Sequence, residues 1–427
     1  MDTRAGREKI THFDVRAEAE RLFADLEQTS TDSVGITREA YGEGEQEALK
    51  LFESFGRRFG LETGVDDAAN LVVTLPGKDS SRPAIVCGSH MDSVPHGGNY
   101  DGAAGIVAGL LGLARMRHEN VVPEQDIKVF CFRCEESAWF GKPYIGSSAL
   151  FGALSEEDLA SRHRSGHERL IEAMARVGAD VERISRGEPL IDPSSIAVYL
   201  ELHIEQGPVM ISRQLPVAVV TGIRGAIRHR RITCRGKAGH SGTVPRWLRQ
   251  DAFFATAELI STLDEHWRVL LERGLDLVIT SGIVETNSRE HAMTRIPREV
   301  SFSFEVRSQS TDALEAFYHL MQTECAAIER SRRVRFELDR KLYTAPAKIS
   351  KAWIDRLMAT AEKFGIKADT IPSGAGHDAA VFANAGIPSA MIFVRNDNGS
   401  HNPDESMEIE DFIEGAALLY HTLKEPL

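Results

Sequence analysis

The sequence predicts an α/β fold: a mixed sheet covered by helices, with a smaller α+β domain inserted into it. Three observations carry this expectation. Short apolar runs bounded by turn residues (PAIVCG, IKVFCF and IAVYLEL) alternate with helix-forming stretches, the pattern of buried parallel strands. From about residue 217 the pattern changes to strands with one polar face, of which SFSFEVR is the plainest. After about 343 the first pattern returns. The 427 residues are also too many for one ordinary core, so two domains are expected.

Taken in order, residues 14–29 and 43–59 have the spacing of amphipathic helices. LVVTL (71–75), PAIVCG (83–88), IKVFCF (127–132) and IAVYLEL (196–202) read as strands, with helices near 103–117 and 167–177. VAVVTGI, from 217, and AIRHRRITCRG read as the two consecutive strands that open the smaller domain. A helix at 249–272, LVITSGIV, EVSFSFEVR, a helix at 312–330 and VRFELD (334–339) complete it. Then follow a helix at 351–364, a strand, a helix at 379–385, SAMIFV (389–394), a polar loop and a helix at 408–424. The expected division is therefore 1–216 with 343–427 for the larger domain and 217–342 for the smaller.

Composition narrows the function. The chain is 42% hydrophobic and 26% charged, and its net charge of −13 argues against nucleic acid or an anionic membrane as main partner. No apolar run approaches the roughly 20 residues of a membrane span. The opening MDTRAGREKITHFD has no apolar core, so no secretory leader is expected. Five cysteines at irregular spacing suit a reduced, cytoplasmic protein. Cys131 and Cys134 form a CxxC, but they fall in a strand, face opposite ways and lack a second pair, so we do not read them as a zinc site. A small molecule or another protein chain is the expected partner.

Five polar clusters fall at strand ends of the larger domain: GSHMDS, NYDG, CEES, ELHIEQG and NGSHNPDE. Ligands bind beyond the carboxyl ends of strands in open α/β sheets. The clusters supply six candidate metal-site residues: His90, Asp101, Glu135, Glu136, His203 and His401. Imidazole and carboxylate are the donors that zinc-like ions accept, and two ions about 3.5–4 Å apart need a bridging carboxylate. Asp101 opens a helix, whose N-terminus is expected to hold it ionised. Asp92, two residues after His90, is placed to orient that imidazole. Glu135 and Glu136 are expected to diverge, one toward metal and one toward water. His96 reads as a loop-surface residue without a partner.

In this order the residues resemble the dinuclear zinc peptidase/amidohydrolase family that includes aminoacylases. The closer resemblance is to its carbamoylase branch of N-carbamoyl-L-amino-acid hydrolases, β-ureidopropionases and allantoate amidohydrolases. GSHMDSVPHGGNYDG, ELHIEQGPV, GHSGTVP, SGAGHDA and SHNPDE carry it, across residues 88 to 405. The resemblance implies a zinc-peptidase-like catalytic domain and a ferredoxin-like lid that closes over the substrate and forms a homodimer. It implies two divalent ions per chain, zinc first, with manganese, cobalt or nickel as alternatives. His90 and His203 would hold one ion and Glu136 and His401 the other, with Asp101 between them. Glu135 would be the general base. His240 would polarise the scissile carbonyl, Arg307 would hold the substrate carboxylate, and Gln206 would stand near the substrate amide.

Two departures from the branch bear on substrate choice. Ser137, Ala138, Trp139 and Phe140 stand where Gly-x-Arg-Phe is usual, so an aromatic face replaces a positive charge. Thr294 occupies the position of a substrate-contacting Asn, unless Asn287 reaches in from upstream. The expected reaction is hydrolysis of the C–N bond of an N-carbamoyl (ureido) acid by a metal-activated water, releasing amino acid, carbon dioxide and ammonia. The alternative is an N-acyl-amino-acid hydrolase or dipeptidase with the same site.

Overall fold

Apolar runs, each closed by turn residues, place the strands of the larger sheet where burial can use both of their faces. In the computed structural model, which describes residues 13–426, β1 (Glu62–Val65), β2 (Leu71–Leu75), β3 (Ala84–His90), β4 (Ile127–Phe132), β5 (Ile196–Ile204) and β6 (Val217–Ile223) lie in one eight-stranded sheet. Its order is β1-β2-β4-β3-β5, then Ser389–Val394, β6 and Ala368–Ser373. β4, β3, β5 and Ser389–Val394 run parallel to one another, while β1 and β2 are antiparallel to their neighbours and β6 is antiparallel to Ser389–Val394. The parallel strands are also the buried ones: every residue of β3 is buried. The leader-free N-terminal reading falls on residues outside those described, apart from its last two. Among the described residues, no helix is long and apolar enough to cross a membrane.

Three helices position the loops that matter. α1 (Val15–Ser30) is capped by the Asp14 carboxylate, which accepts from the Ala17 N–H. α2 (Glu43–Arg58) follows it, and α3 (Ala103–His118) is apolar nearly all round because neighbours cover it on every side. Gly105 lets α3 lie against β5: a Cβ there would stand 2.2 Å from the Leu202 carbonyl oxygen.

The chain divides into two compact units, one running to Thr221 and resuming at Ile349, the other spanning Gly222–Lys348. The division therefore falls later than 216 and 342. VAVVTGI, expected to open the smaller domain, is β6 of the larger sheet and pairs antiparallel with Ser389–Val394. An apolar strand carries no local mark of its partner, and this partner lies far along the chain.

Within the second unit, the strands Val284–Thr286, Glu299–Ser308, Gly225–Arg235 and Arg335–Leu338 form an antiparallel sheet in that order. Helices Ala252–Glu272 and Thr311–Arg332 contribute Leu259, Leu263, Phe317 and Met321 to a core shared with Ile232, Phe302 and Phe304. Strand–helix–strand–strand–helix–strand in this spatial order is the ferredoxin-like arrangement expected for this unit.

Candidate metal centre

Because β3, β4 and β5 are parallel, their carboxyl ends meet at one edge of the sheet. His90 is the last residue of β3, His203 lies at the end of β5, and Glu135 and Glu136 follow β4. Asp101 comes from the turn before α3, and His401 from the loop after Ser389–Val394. The structure brings all six together. His90, Asp101 and His203 offer one ligand atom each within 4.8 Å of one another, and so do Asp101, Glu136 and His401. Asp101 belongs to both triads. Its Oδ1 lies 3.1 Å from His203 Nε2 and 3.6 Å from His90 Nε2, and its Oδ2 lies 3.3 Å from His401 Nε2. His401 Nε2 is 3.0 Å from Glu136 Oε1, and Glu135 Oε2 is 3.9 Å from His90 Nε2.

The donor set fits divalent cations. Buried polar atoms normally find a partner, yet Asp101 Oδ1 is buried and makes no hydrogen bond. It faces two imidazole nitrogens whose other ring atoms are already engaged: His90 Nδ1 with the Asp92 carbonyl at 2.9 Å, and His203 Nδ1 with the Ile204 carbonyl at 2.9 Å. Both Nε2 atoms are thereby turned inward, the orientation a metal ligand needs. Burial pushes the Asp101 carboxyl up, but His203, His401 and His90 outweigh it and hold it well below the usual carboxylate range. Burial, reinforced by the Glu136, Asp378 and Asp92 carboxylates, pushes Glu135 well up, against the lowering effect of His90. The surroundings thus shift the Asp101 and Glu135 carboxyls in opposite directions.

Asp101 is not held by the helix N-terminus. α3 begins at Ala103 behind Gly102, and no side chain caps it. The Asp101 carboxylate is held by Gln206 Nε2 at 2.8 Å and Ser400 Oγ at 2.5 Å, both on Oδ2. Gly102 has a φ of +69°, and a Cβ there would lie 2.5 Å from the His90 ring, so only glycine allows the turn.

Asp92 also acts differently from the sequence-based expectation. Its main-chain carbonyl, not its carboxylate, holds His90; the carboxylate is 3.7 Å from Nδ1. The carboxylate instead accepts the backbone N–H groups of Glu135 (2.8 Å) and Glu136 (3.1 Å). Left-handed backbone gathers here too, at Cys134 (φ 54°), Gln206 (φ 62°) and His401 (φ 62°), where strain of about 1–3 kcal/mol per residue is typical of functional sites.

Sequence reasoning missed several supports. Glu405, in SHNPDE, accepts the N–H groups of Tyr100 and Asp101, and its Oε2 lies 2.6 Å from Ser400 Oγ. Glu201, two residues before His203 on the same strand face, binds Ser89 Oγ and the Ala379 N–H. A carboxylate inside an otherwise apolar strand was the available signal. His96 is not partnerless: its Nδ1 pairs with Asp32 at 2.8 Å. Trp139 offers no open aromatic face. It is buried, its indole N–H donates to the Ser93 carbonyl at 2.8 Å, and its ring stacks on His163.

The remaining candidates lie in the second unit. His240 is exposed, on a two-residue strand paired with Arg295–Ile296, and Thr294 is beside it, its carbonyl accepting the Ser241 N–H. Arg307 lies on Glu299–Ser308 with Nε 3.0 Å from Glu305. Asn287 caps a 3-10 turn, its Oδ1 accepting from Arg289.

The sequence pattern of Peptidase family M20/M25/M40 matches residues 86–425. The chain belongs to that family. Among relatives, this M20/M25/M40 member is 34% identical over 396 residues to the N-carbamoyl-L-amino acid amidohydrolase of Geobacillus stearothermophilus, covering 92% of this chain and 93% of that one. It is 29% identical to the allantoate amidohydrolase of Escherichia coli, covering 96% and 97%. A hydantoinase/carbamoylase family amidase from Burkholderia ambifaria has a similar structure, with a TM-score of 0.85 at 26% identity over 98% of this chain and 97% of that one. Membership of the M20/M25/M40 family and the imidazole–carboxylate clusters together point to divalent metal ions.

Proposed function

We propose that the chain hydrolyses the C–N bond of an N-carbamoyl amino acid or a related ureido acid such as allantoate. The observation that carries this reading is Asp101, shared by two ligand triads in a chain whose relatives are amidohydrolases of those compounds. His90 and His203 would hold one cation and Glu136 and His401 the other, with Asp101 offered to both; zinc would suit the donors, with manganese, cobalt or nickel able to replace it. Cations bound there supply Lewis-acid polarisation and a more acidic water. Glu135 takes a proton from the attacking water and returns it to the departing amine nitrogen as the C–N bond breaks. The carbamate released decomposes to carbon dioxide and ammonia. His240 steadies the developing oxyanion, and Arg307 binds the substrate carboxylate. The first unit is the catalytic domain and the second a lid.

The second unit also supports a homodimer. Phe253 and Val284 are 52% and 61% exposed, and Val284–Thr286 is the edge strand of its sheet, a surface that pairs readily. Five free cysteines suit a reduced, cytoplasmic protein.

The test is a substrate panel: carbamoyl and acetyl derivatives of one L-amino acid, β-ureidopropionate and allantoate, each run with several divalent ions. A preference for a ureido acid, with ammonia released, agrees with the proposal. Turnover of the acetyl derivative alone contradicts it.

A further inference from the structure

Loop 91–100 joins β3 to α3 and has a candidate metal ligand at each end, His90 just before it and Asp101 just after. These two side chains meet, with Asp101 Oδ1 3.6 Å from His90 Nε2. A loop without helix or strand does not hold its ends together unaided, because each dihedral costs entropy to fix. Segment 36–38, between α1 and α2, supplies the hold. Ile36 and Gly97 exchange main-chain hydrogen bonds at 2.9 and 2.8 Å, and Thr37 Oγ1 accepts the His96 N–H at 2.9 Å. Arg38 makes four more bonds to the loop. Its main-chain N–H donates to Ser93 Oγ at 2.9 Å, and its carbonyl accepts the Ser93 N–H at 3.0 Å. Its Nε donates to the Met91 carbonyl at 2.9 Å and its Nη1 to Asn99 Oδ1 at 3.1 Å. One guanidinium therefore reaches from the residue after His90 to the residue two before Asp101.

Both ends of that reach are anchored a second time. The Met91 N–H donates to the Phe132 carbonyl of β4 at 2.8 Å, and Asn99 Nδ2 donates to the Phe23 carbonyl of α1 at 2.9 Å. Arg38 itself is fully buried, and the oxygens its guanidinium bonds are neutral. Burial lowers its pKa to about 10, against the Glu405, Asp92 and Asp101 carboxylates, which raise it, so the group stays charged at neutral pH. A buried charge is costly, and an apolar side chain of similar volume often serves a fold as well or better. Lysine keeps the charge but offers one point in place of a planar fork. What arginine adds here is a rigid, two-ended grip on the loop.

We propose that Arg38 is a positioning residue of the metal centre: by gripping Met91 and Asn99 it sets the separation of His90 and Asp101, and with it the geometry offered to the cation that these two residues share with His203. Arg38 acts through the loop and binds no cation itself. The inference rests on the metal reading proposed above and names the residue that tunes that site.

The test titrates metal-stripped, full-length protein with cobalt(II) chloride, because the visible absorption bands of bound cobalt report the geometry of its ligands. Arg38→Lys and Asn99→Ala loosen the grip from its two sides. Asn99→Ala removes only a small side chain, so it decides the matter where Arg38→Lys does not fold. In each folded variant the visible bands should change, and cobalt should bind about 10–100-fold more weakly, as loss of a group supporting metal ligands typically brings. In turnover, kcat should fall while KM stays nearly constant. Leu263→Ala, which opens a cavity in the core of the second unit, controls for lost stability, and its cobalt spectrum should match that of the unaltered protein. Folded Asn99→Ala with the unaltered spectrum and cobalt affinity would overturn the proposal. So would a spectrum that changes as much in Leu263→Ala as in Asn99→Ala. Unaltered protein that binds no cobalt defeats the metal reading and this inference together, whereas cobalt bound identically by the unaltered protein and Asn99→Ala defeats this inference alone.

Discussion

In the proposed mechanism, Glu135 is the side chain on which turnover rests. Its carboxyl is raised by burial and by neighbouring carboxylates, which suits a group that must take a proton and give it back. Glu135→Gln keeps size and hydrogen-bonding capacity, so metal content should be unchanged while kcat falls by about 10²–10⁴-fold. Near-normal kcat in a fully loaded variant would remove Glu135 from the mechanism. Asp92 acts through the backbone of both glutamates. Asp92→Ala should cost about 10–100-fold in activity or metal affinity, as removal of a group supporting metal ligands typically does. Rescue of most of that loss by Asp92→Asn is expected to be partial, since an amide offers one acceptor oxygen for two N–H groups. The sequence marked Asp92 through its two-residue spacing from His90 but pointed to the wrong recipient. The recipients come from the end of β4, and only the parallel pairing of β3 with β4 brings them there. Trp139 was misread for a related reason, because a sequence shows an aromatic ring but not what covers it.

At the scale of elements, α2 and β4 are joined by a buried ion pair. Arg133, the first residue after β4, is buried, binds Glu45 of α2, and also donates to the Ala69 carbonyl (2.6 Å) and to Gln46 Oε1 (2.6 Å). It sets the path of the chain into Glu135 and Glu136. Removing one partner leaves the other charge buried and unpaired, so Glu45→Gln should lower unfolding stability by about 3–5 kcal/mol in a denaturant melt. A loss below roughly 1 kcal/mol would show that water reaches Arg133 and that the pair is not what fixes this turn. Elements were largely legible in the sequence where the signal is local. LVVTL, IKVFCF and SAMIFV match their strands to the residue because apolar runs end abruptly at turn formers. β6 was assigned to the wrong sheet because pairing is not local.

For the whole molecule, the second unit's exposed apolar face leads to a prediction about assembly. If copies of the chain pair through it, Phe253→Asp together with Val284→Asp should shift sedimentation from dimer to monomer while leaving far-ultraviolet circular dichroism unchanged. A unaltered chain that sediments as a monomer would contradict that reading. The most direct test of the central claim is anomalous diffraction from zinc-soaked crystals of the full chain. Two peaks flanking the Asp101 carboxylate, about 3.5–4 Å apart, are the predicted result. A single peak at that carboxylate, or none within bonding distance of it, would contradict the account.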